Sequence, residues 1–488
     1  MTTLHLKEPR LNPPLPDDER LYLGIADRIA GLIDTGTLRV GQRVPSVRTL
    51  SGQWHVSIST VLAAYRVLED RGRIEARPQS GFYVRGAMAP VCKEPCTASK
   101  APPMAPSKVR VTDLVTRILT AAVDPEFVRL GGAVPMDDTL PTKQLNRLSA
   151  AIARRSRRGN NTYDIPPGNK ELRVQVARRY VEAGCALSPD ELITTCGCQE
   201  AVTLCLRAAA KAGDVVAIES PTFYGHLQAI EALGMRAVEV PCSPTDGVSI
   251  EALEKAIRQR KVKACLCVTN VQNPLGCIMP DERKAQLVKM LARHRVPLIE
   301  DDIYGDLAYG PSRPGVCKAL DREGLVMLCS SFSKTLAPGA RVGWCAPGRF
   351  FDDVLRLKIC TTLATATLPQ MMIAEFLANG GYQHHLRKTR LCYAHQVQMM
   401  SAAVQKYFPG GTRVSRPAGG HVVWVEMPER VDAMKLYERA AELKISIAPG
   451  PIFSARGRFK NCLRLNCSAA WTDQIERAVA TLGDLAKE

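Results

Sequence analysis

Leu21, Ile25, Ile29, Leu32 and Ile33 recur at the three- and four-residue spacing of a helix, and Gly36 stops the run. After them "VPSVRTLSGQW" predicts a short helix with Ser46 as its N-cap. "HVSISTVLAAYRVLEDRG" predicts a longer one, capped by Ser57, with Val61, Tyr65 and Leu68 on its inner face and Gly72 at its end. "RIEARPQSGFYVR" alternates as two short strands around a turn. Helix, helix, turn, helix and a two-stranded wing is the winged form of the helix-turn-helix, whose second paired helix enters a major groove.

The pattern then breaks. Residues 86–110, "GAMAPVCKEPCTASKAPPMAPSKVR", carry five prolines and no helical or strand period, which reads as an extended linker. Beyond it, helical stretches alternate with the apolar runs "VVAIES" (215–220), "ACLCVTN" (264–270), "PLIEDD" (297–302) and "VMLCSS" (326–331). That alternation predicts an α/β fold with a mostly parallel sheet, whose ligands gather at the carboxyl ends of the strands. The expected organisation is multidomain: a tail over 1–17, a winged head over 18–85, the linker over 86–110 and a large body over 111–488.

Composition adds constraints. A chain of 488 residues exceeds one ordinary core, and no apolar run approaches the roughly 20 residues of a membrane span. The first twenty residues lack the apolar core of a secretory signal, so a cytoplasmic location is expected. Seventeen cysteines contain no C-x-x-C pair, and "CGC" and "CLC" are too tightly spaced for zinc; they read as small buried hydrophobes, with no metal site. A net charge of +17 suits a polyanionic partner such as DNA, while "RRSRR" at 154–158 reads as a solvated helix face.

One lysine is framed for chemistry. In "SSFSKTLAPGARVGW", Lys334 follows a strand between small hydroxyl residues, with Arg341 seven positions on. Pyridoxal 5′-phosphate requires an amine for its aldehyde, an anion for its ring nitrogen, donors for its 3-oxygen and a flat partner for its ring. It also requires helix N–H groups, hydroxyls and an arginine for its phosphate. The chain has a candidate for each. Lys334 supplies the amine, to carry an internal aldimine, and Ser331, Ser333 and Arg341 surround the phosphate. Gly197, Cys198 and Gln199 open a helix directly after a strand, and Asp301 ends "PLIED". Asn273 in "NVQNPLG" and Tyr304 in "DDIYGD" reach the 3-oxygen. Phe223 in "ESPTFYG" lies on the ring, with Tyr224 as a rival.

Two resemblances organise these residues. "VPSVRTLSGQWHVSISTVLAAYRVLEDRG" with "RPQSGFYV" resembles the DNA-binding domain of GntR-type regulators, which implies DNA contact by Arg48, Ser59, Thr60 and the wing residue Gly81. It departs at Ile58 and Leu62, where many members carry arginines, so phosphate contacts and the wing are expected to take more of the work. "GCQEAV", "ESPTFYG", "NVQNPLG", "EDDIYGD" and "SSFSKTLAPGARVGW" resemble, in order, the blocks of fold type I aminotransferases. That resemblance implies that Tyr163 reaches the neighbouring subunit's phosphate and that Arg464 clamps an α-carboxylate.

Head, linker and body together resemble MocR-type transcription regulators. The resemblance implies a head-to-tail homodimer on double-stranded DNA with paired half-sites, sensing a small amino-type effector. The alternative is a working aminotransferase with an accessory DNA-binding domain. His421 in "PAGGHVVWVEMP" replaces an apolar residue common in the family, and its role is open.

Overall fold

In a computed structural model, residues 21–39, 41–77, 81–84, 94–95, 102, 104–155, 162–310 and 312–488 are described. The chain divides into two units, residues 1–89 and 90–488. The predicted tail, most of the linker and residues 156–158 of the basic run lie outside the described residues.

In the first unit α1 spans Leu21–Asp34, α2 Val47–Trp54 and α3 Ile58–Asp70, followed by strands β1 (Ile74–Arg77) and β2 (Gly81–Val84), paired antiparallel. Ser46 and Ser57 cap α2 and α3 through Thr49 N and Thr60 N, as their hydroxyl chemistry predicts. Between the two helices His55 turns the chain in the left-handed region, φ 53°. Val61, Tyr65 and Leu68 of α3 are fully buried against Ile25 and Ile29 of α1. Burial of each such side chain contributes about 1.5–3 kcal/mol, which holds so small a core together.

The second unit is built on a sheet whose strands run in the order 107–108, 236–243, 215–220, 262–267, 298–301, 326–331, 343–346 and 193–195. Neighbours from 236–243 through 326–331 are parallel, as the apolar runs predict; 343–346 is antiparallel to both of its partners. Helices flank the sheet, and a second antiparallel sheet pairs Val422–Glu426 with Cys462–Asn466. No helix of the described residues is long and apolar enough to cross a membrane.

The end of the predicted linker is a correction. Ser107–Lys108 forms an edge strand against Ala237 and Arg236, and the carbonyls of Met104, Ala105 and Pro106 accept from Arg260, Arg456 and Arg236. Proline-rich composition hid this, because an edge strand needs neither a hydrophobic period nor N–H donors on both sides.

Candidate functional site

The carboxyl ends of the parallel strands open on a pocket with about 640 Å³ of empty space, open solvent included. Cys198, Gln199, Phe223, Asn273, Asp301, Tyr304, Ser333, Lys334 and Arg341 line it, drawn from regions nearly 150 residues apart in sequence. Each arrives by local logic. Asp301 is the last residue of its strand, and Lys334 lies just past the end of the next one.

Gly197 starts the helix Cys198–Ala209 at φ 82°, where a side chain is strained. A Cβ there would also lie 2.5 Å from Nη2 of Arg341. The glycine therefore lets the Arg341 guanidinium rest against the helix N-terminus, where it donates to Cys196 O (3.1 Å) and Ser333 Oγ (3.2 Å). N–H groups, a hydroxyl and a guanidinium converge there, the donor set of an oxyanion site.

The lysine is tuned. Its Nζ donates to Ala133 O at 2.5 Å. Burial and the charge of Arg464, with Arg341 adding to them and Asp301 opposing, lower its pKa to about 8. Roughly one such side chain in ten is then a neutral amine at pH 7.

Asp301 is held on several sides: Oδ2 contacts His226 Nε2 at 2.9 Å, and Oδ1 accepts from Ile303 N (3.0 Å) and Cys198 Sγ (3.3 Å). His226 is absent from the residues that the sequence singles out. The signal it leaves there is a histidine on the first turn of a helix, three residues after Phe223. Phe223 lines the pocket. Tyr224 packs under Phe453 and the guanidinium of Arg464, which removes it as the ring partner. Tyr304 Oη is buried with no hydrogen-bond partner, beside Asn273; burial pushes its pKa well up, so it stays a neutral donor.

Arg464 is fully buried. It donates to Asn273 Oδ1 (3.1 Å) and Gly131 O (2.6 Å), its Nε has no partner, and no carboxylate of the described residues pairs with it. A buried guanidinium satisfied only by neutral acceptors is costly unless an anion completes it.

His421 precedes the strand paired with that of Arg464. It is fully buried between the rings of Tyr304 and Tyr393 (centroids 5.8 and 4.9 Å). Asn466 gives its amide N–H to Val134 O and presents Oδ1 to His421 Nδ1 at 2.9 Å, which fixes the proton on Nδ1. Burial, with Lys334 nearby, lowers the His421 pKa to about 3, so it is neutral at physiological pH.

One residue expected in the pocket lies elsewhere. Ser331 does not line the pocket: it ends its strand facing a small neighbouring void, and its hydroxyl accepts from Ser333 N (3.2 Å). Tyr163 is 74% exposed and away from its own chain's pocket. Gln199 spends its side-chain amide on Gly225 O, leaving its backbone for the pocket.

On the head, Arg48 is exposed near the start of α2 and has no carboxylate partner among the described residues. Ser59 and Thr60 open α3, their hydroxyls bonded to Ser57 Oγ (2.7 and 2.6 Å). Gly81, φ 96°, begins the second wing strand beneath Arg43, whose Nε would lie 3.1 Å from an added Cβ.

The model of bacterial regulatory proteins of the gntR family matches residues 21–84, and that of aminotransferase class I and II matches 128–482. The chain is 37% identical over 463 residues to the uncharacterized HTH-type transcriptional regulator YjiR of Escherichia coli (strain K12), covering 95% of this chain and 98% of that protein. It is 38% identical to YdcR, another such regulator of the same organism, over 96% of this chain and 99% of that one. The body resembles the crystal structure of LysN, an alpha-aminoadipate aminotransferase from Thermus thermophilus complexed with N-(5′-phosphopyridoxyl)-L-leucine. That likeness has TM-score 0.70 and 28% identity, over 76% of this chain and 94% of that one.

Proposed function

The chain belongs to the MocR-type transcription regulators, which join a GntR-type head to an aminotransferase class I and II body, and from that premise we propose that it is a pyridoxal 5′-phosphate-dependent DNA-binding regulator whose body senses an amino compound at Lys334. The observation that carries this reading is charge. Lys334 and Arg341 line the pocket, and buried Arg464 lies near enough to act on Lys334, against one lining carboxylate, Asp301. A phosphate and a carboxylate together neutralise that set. The unpartnered Tyr304 hydroxyl and Arg464 Nε, and the room Gly197 leaves for Arg341, fit the same ligands.

Bound there, the cofactor supplies an aldehyde for a primary amine and a ring that draws electrons from that amine's carbon. The residues do the rest. The N–H groups opening Cys198–Ala209, with Ser333 and Arg341, would hold the phosphate. Asp301, fixed by His226, would face the ring nitrogen; Asn273 and Tyr304 would hold the 3-oxygen and Phe223 the ring face. Arg464 would take the effector's carboxylate, and Lys334 would supply the amine that holds the cofactor's aldehyde and would carry a proton on Nζ.

A second copy of the chain, packed head-to-tail, would cover the exposed Tyr163, Ile165 (61%) and Val134 (39%). Such a dimer would present two heads to double-stranded DNA with paired half-sites, in the cytoplasm. The test is an absorbance spectrum of the purified protein, before and after adding single amino acids. A yellow protein whose band borohydride fixes to Lys334, and which one class of amino acid shifts, supports the reading; a colourless protein that takes up no added cofactor overturns it.

Asp301, Lys334 and Arg464 all in place favour a second reading, a working aminotransferase with an accessory head. Sustained turnover of an amino acid and a keto acid, at a rate indifferent to DNA, would favour it over the regulator.

A further inference from the structure

Helix α3 buries Val61, Ala64, Tyr65 and Leu68, each with no exposed surface. Ile58 and Leu62, one turn apart, border that buried face, and Ser59, Ala63 and Arg66 lie round the far side: Ile58, Ser59 and Arg66 are exposed, Leu62 and Ala63 partly so. Ile58 stands out. It is the first residue of the helix and 50% exposed, among few large apolar side chains of the described head left so open. A β-branched residue is a poor helix former, so helix propensity does not account for it. Of the hydroxyls beside it, that of Ser57 is already committed. Ser57 Oγ accepts from Thr60 N (3.0 Å) and bonds both the Ser59 and Thr60 hydroxyls, which fills its capacity. The first turn of the recognition helix thus offers an alkyl group, and no charged residue precedes Arg66 in that helix.

In a helix-turn-helix, the N-terminal residues of the recognition helix meet base edges, and in the major groove only thymine presents a methyl group. We propose that Ile58 is a specificity-determining residue that packs against the C5-methyl of a thymine in each half-site, with Leu62 one turn behind it. This rests on the DNA-binding reading of the head. Double-stranded DNA is the favoured occupant because the head carries ten arginines against seven acidic residues over 18–85, with Arg48 of α2 and Arg66 of α3 both exposed.

The full-length protein is used to enrich a random duplex pool, and the enriched site is then titrated with each thymine replaced in turn by deoxyuridine, which removes only the methyl. At one thymine per half-site the wild type should lose about four-fold, and about fifteen-fold when both are replaced, the value of one buried methyl each. Ile58→Ala, on an exposed position and checked by thermal melting, should bind the thymine site more weakly and no longer distinguish it from the deoxyuridine site. Arg48→Ala should weaken both sites evenly and keep the distinction. If Ile58→Ala retains the full thymine preference at every position, or if it changes oligomeric state while leaving DNA binding intact, Ile58 is not the reader. If no duplex is enriched at all, the DNA-binding reading itself fails, and this assignment with it.

Discussion

Asp301 and His226, 75 residues apart in the chain, meet at 2.9 Å between Oδ2 and Nε2, and both side chains are almost wholly buried. The contact fixes one carboxylate oxygen on a pocket wall while Ile303 N and Cys198 hold the other. A buried anion aimed and held in this way suits pairing with a protonated ring nitrogen.

Asp301→Asn should therefore weaken cofactor binding by about 10- to 100-fold, the value of one charge-assisted hydrogen bond. Asn273→Ala, which removes a neutral contact, should cost only a few-fold. Equilibrium titration of the cofactor-free variants measures both, and equal losses would contradict the assigned role of Asp301.

Lys334 gives a pH prediction with a definite sign. Its amine reacts only when unprotonated, and its pKa is lowered from 10.5 to about 8. Cofactor uptake by the cofactor-free protein should therefore speed up as pH rises through about 8 and then level off. Between about 8 and 10.5 the unfolded chain binds a proton that the folded lysine does not, so this group adds stability as pH rises across that window. A stopped-flow uptake series checks the first, and a rate still climbing at about pH 10, two units above that pKa, would contradict it.

Residues 104–110 belong to the body by contact, which sets where the chain can be cut. A body beginning at residue 90 should be a dimer by light scattering. One beginning at 111 loses the strand Ser107–Lys108 and the carbonyls that Arg236, Arg260 and Arg456 use. That should cost about 1–3 kcal/mol, or roughly 2–6 °C in Tm. Identical melting of the two bodies would show those contacts to be idle.

Much of the site could be read from the sequence because its residues sit in short blocks at the ends of strands, where local order maps onto position in space. The residues that escaped did so for physical reasons. Ser331 is two positions from Ser333, yet it belongs to the strand while Ser333 lies past its end, so the backbone turns it toward another cavity. His226 and His421 carry no motif of their own; their roles come from burial beside Asp301 and Tyr304, which only the fold creates. The strand at 107–108 is two residues long and exposed at a sheet edge, too short to leave a period.

The central claim is that events at Lys334 govern how the heads bind DNA. A single head has a net charge of only +3 over residues 18–85 and should bind weakly; linking two should raise affinity by roughly 10²- to 10⁴-fold when both engage. An effector shifts that binding only if it favours one arrangement of the heads. The most direct measurement is a DNA-binding titration of the full chain, of isolated residues 1–110 and of full-length Lys334→Ala, each with and without the amino acid that shifts the spectrum. The isolated head should lose most of the affinity, and Lys334→Ala should keep binding but no longer respond. A head that binds as tightly as the full chain, or a Lys334→Ala protein that responds in full, would contradict it.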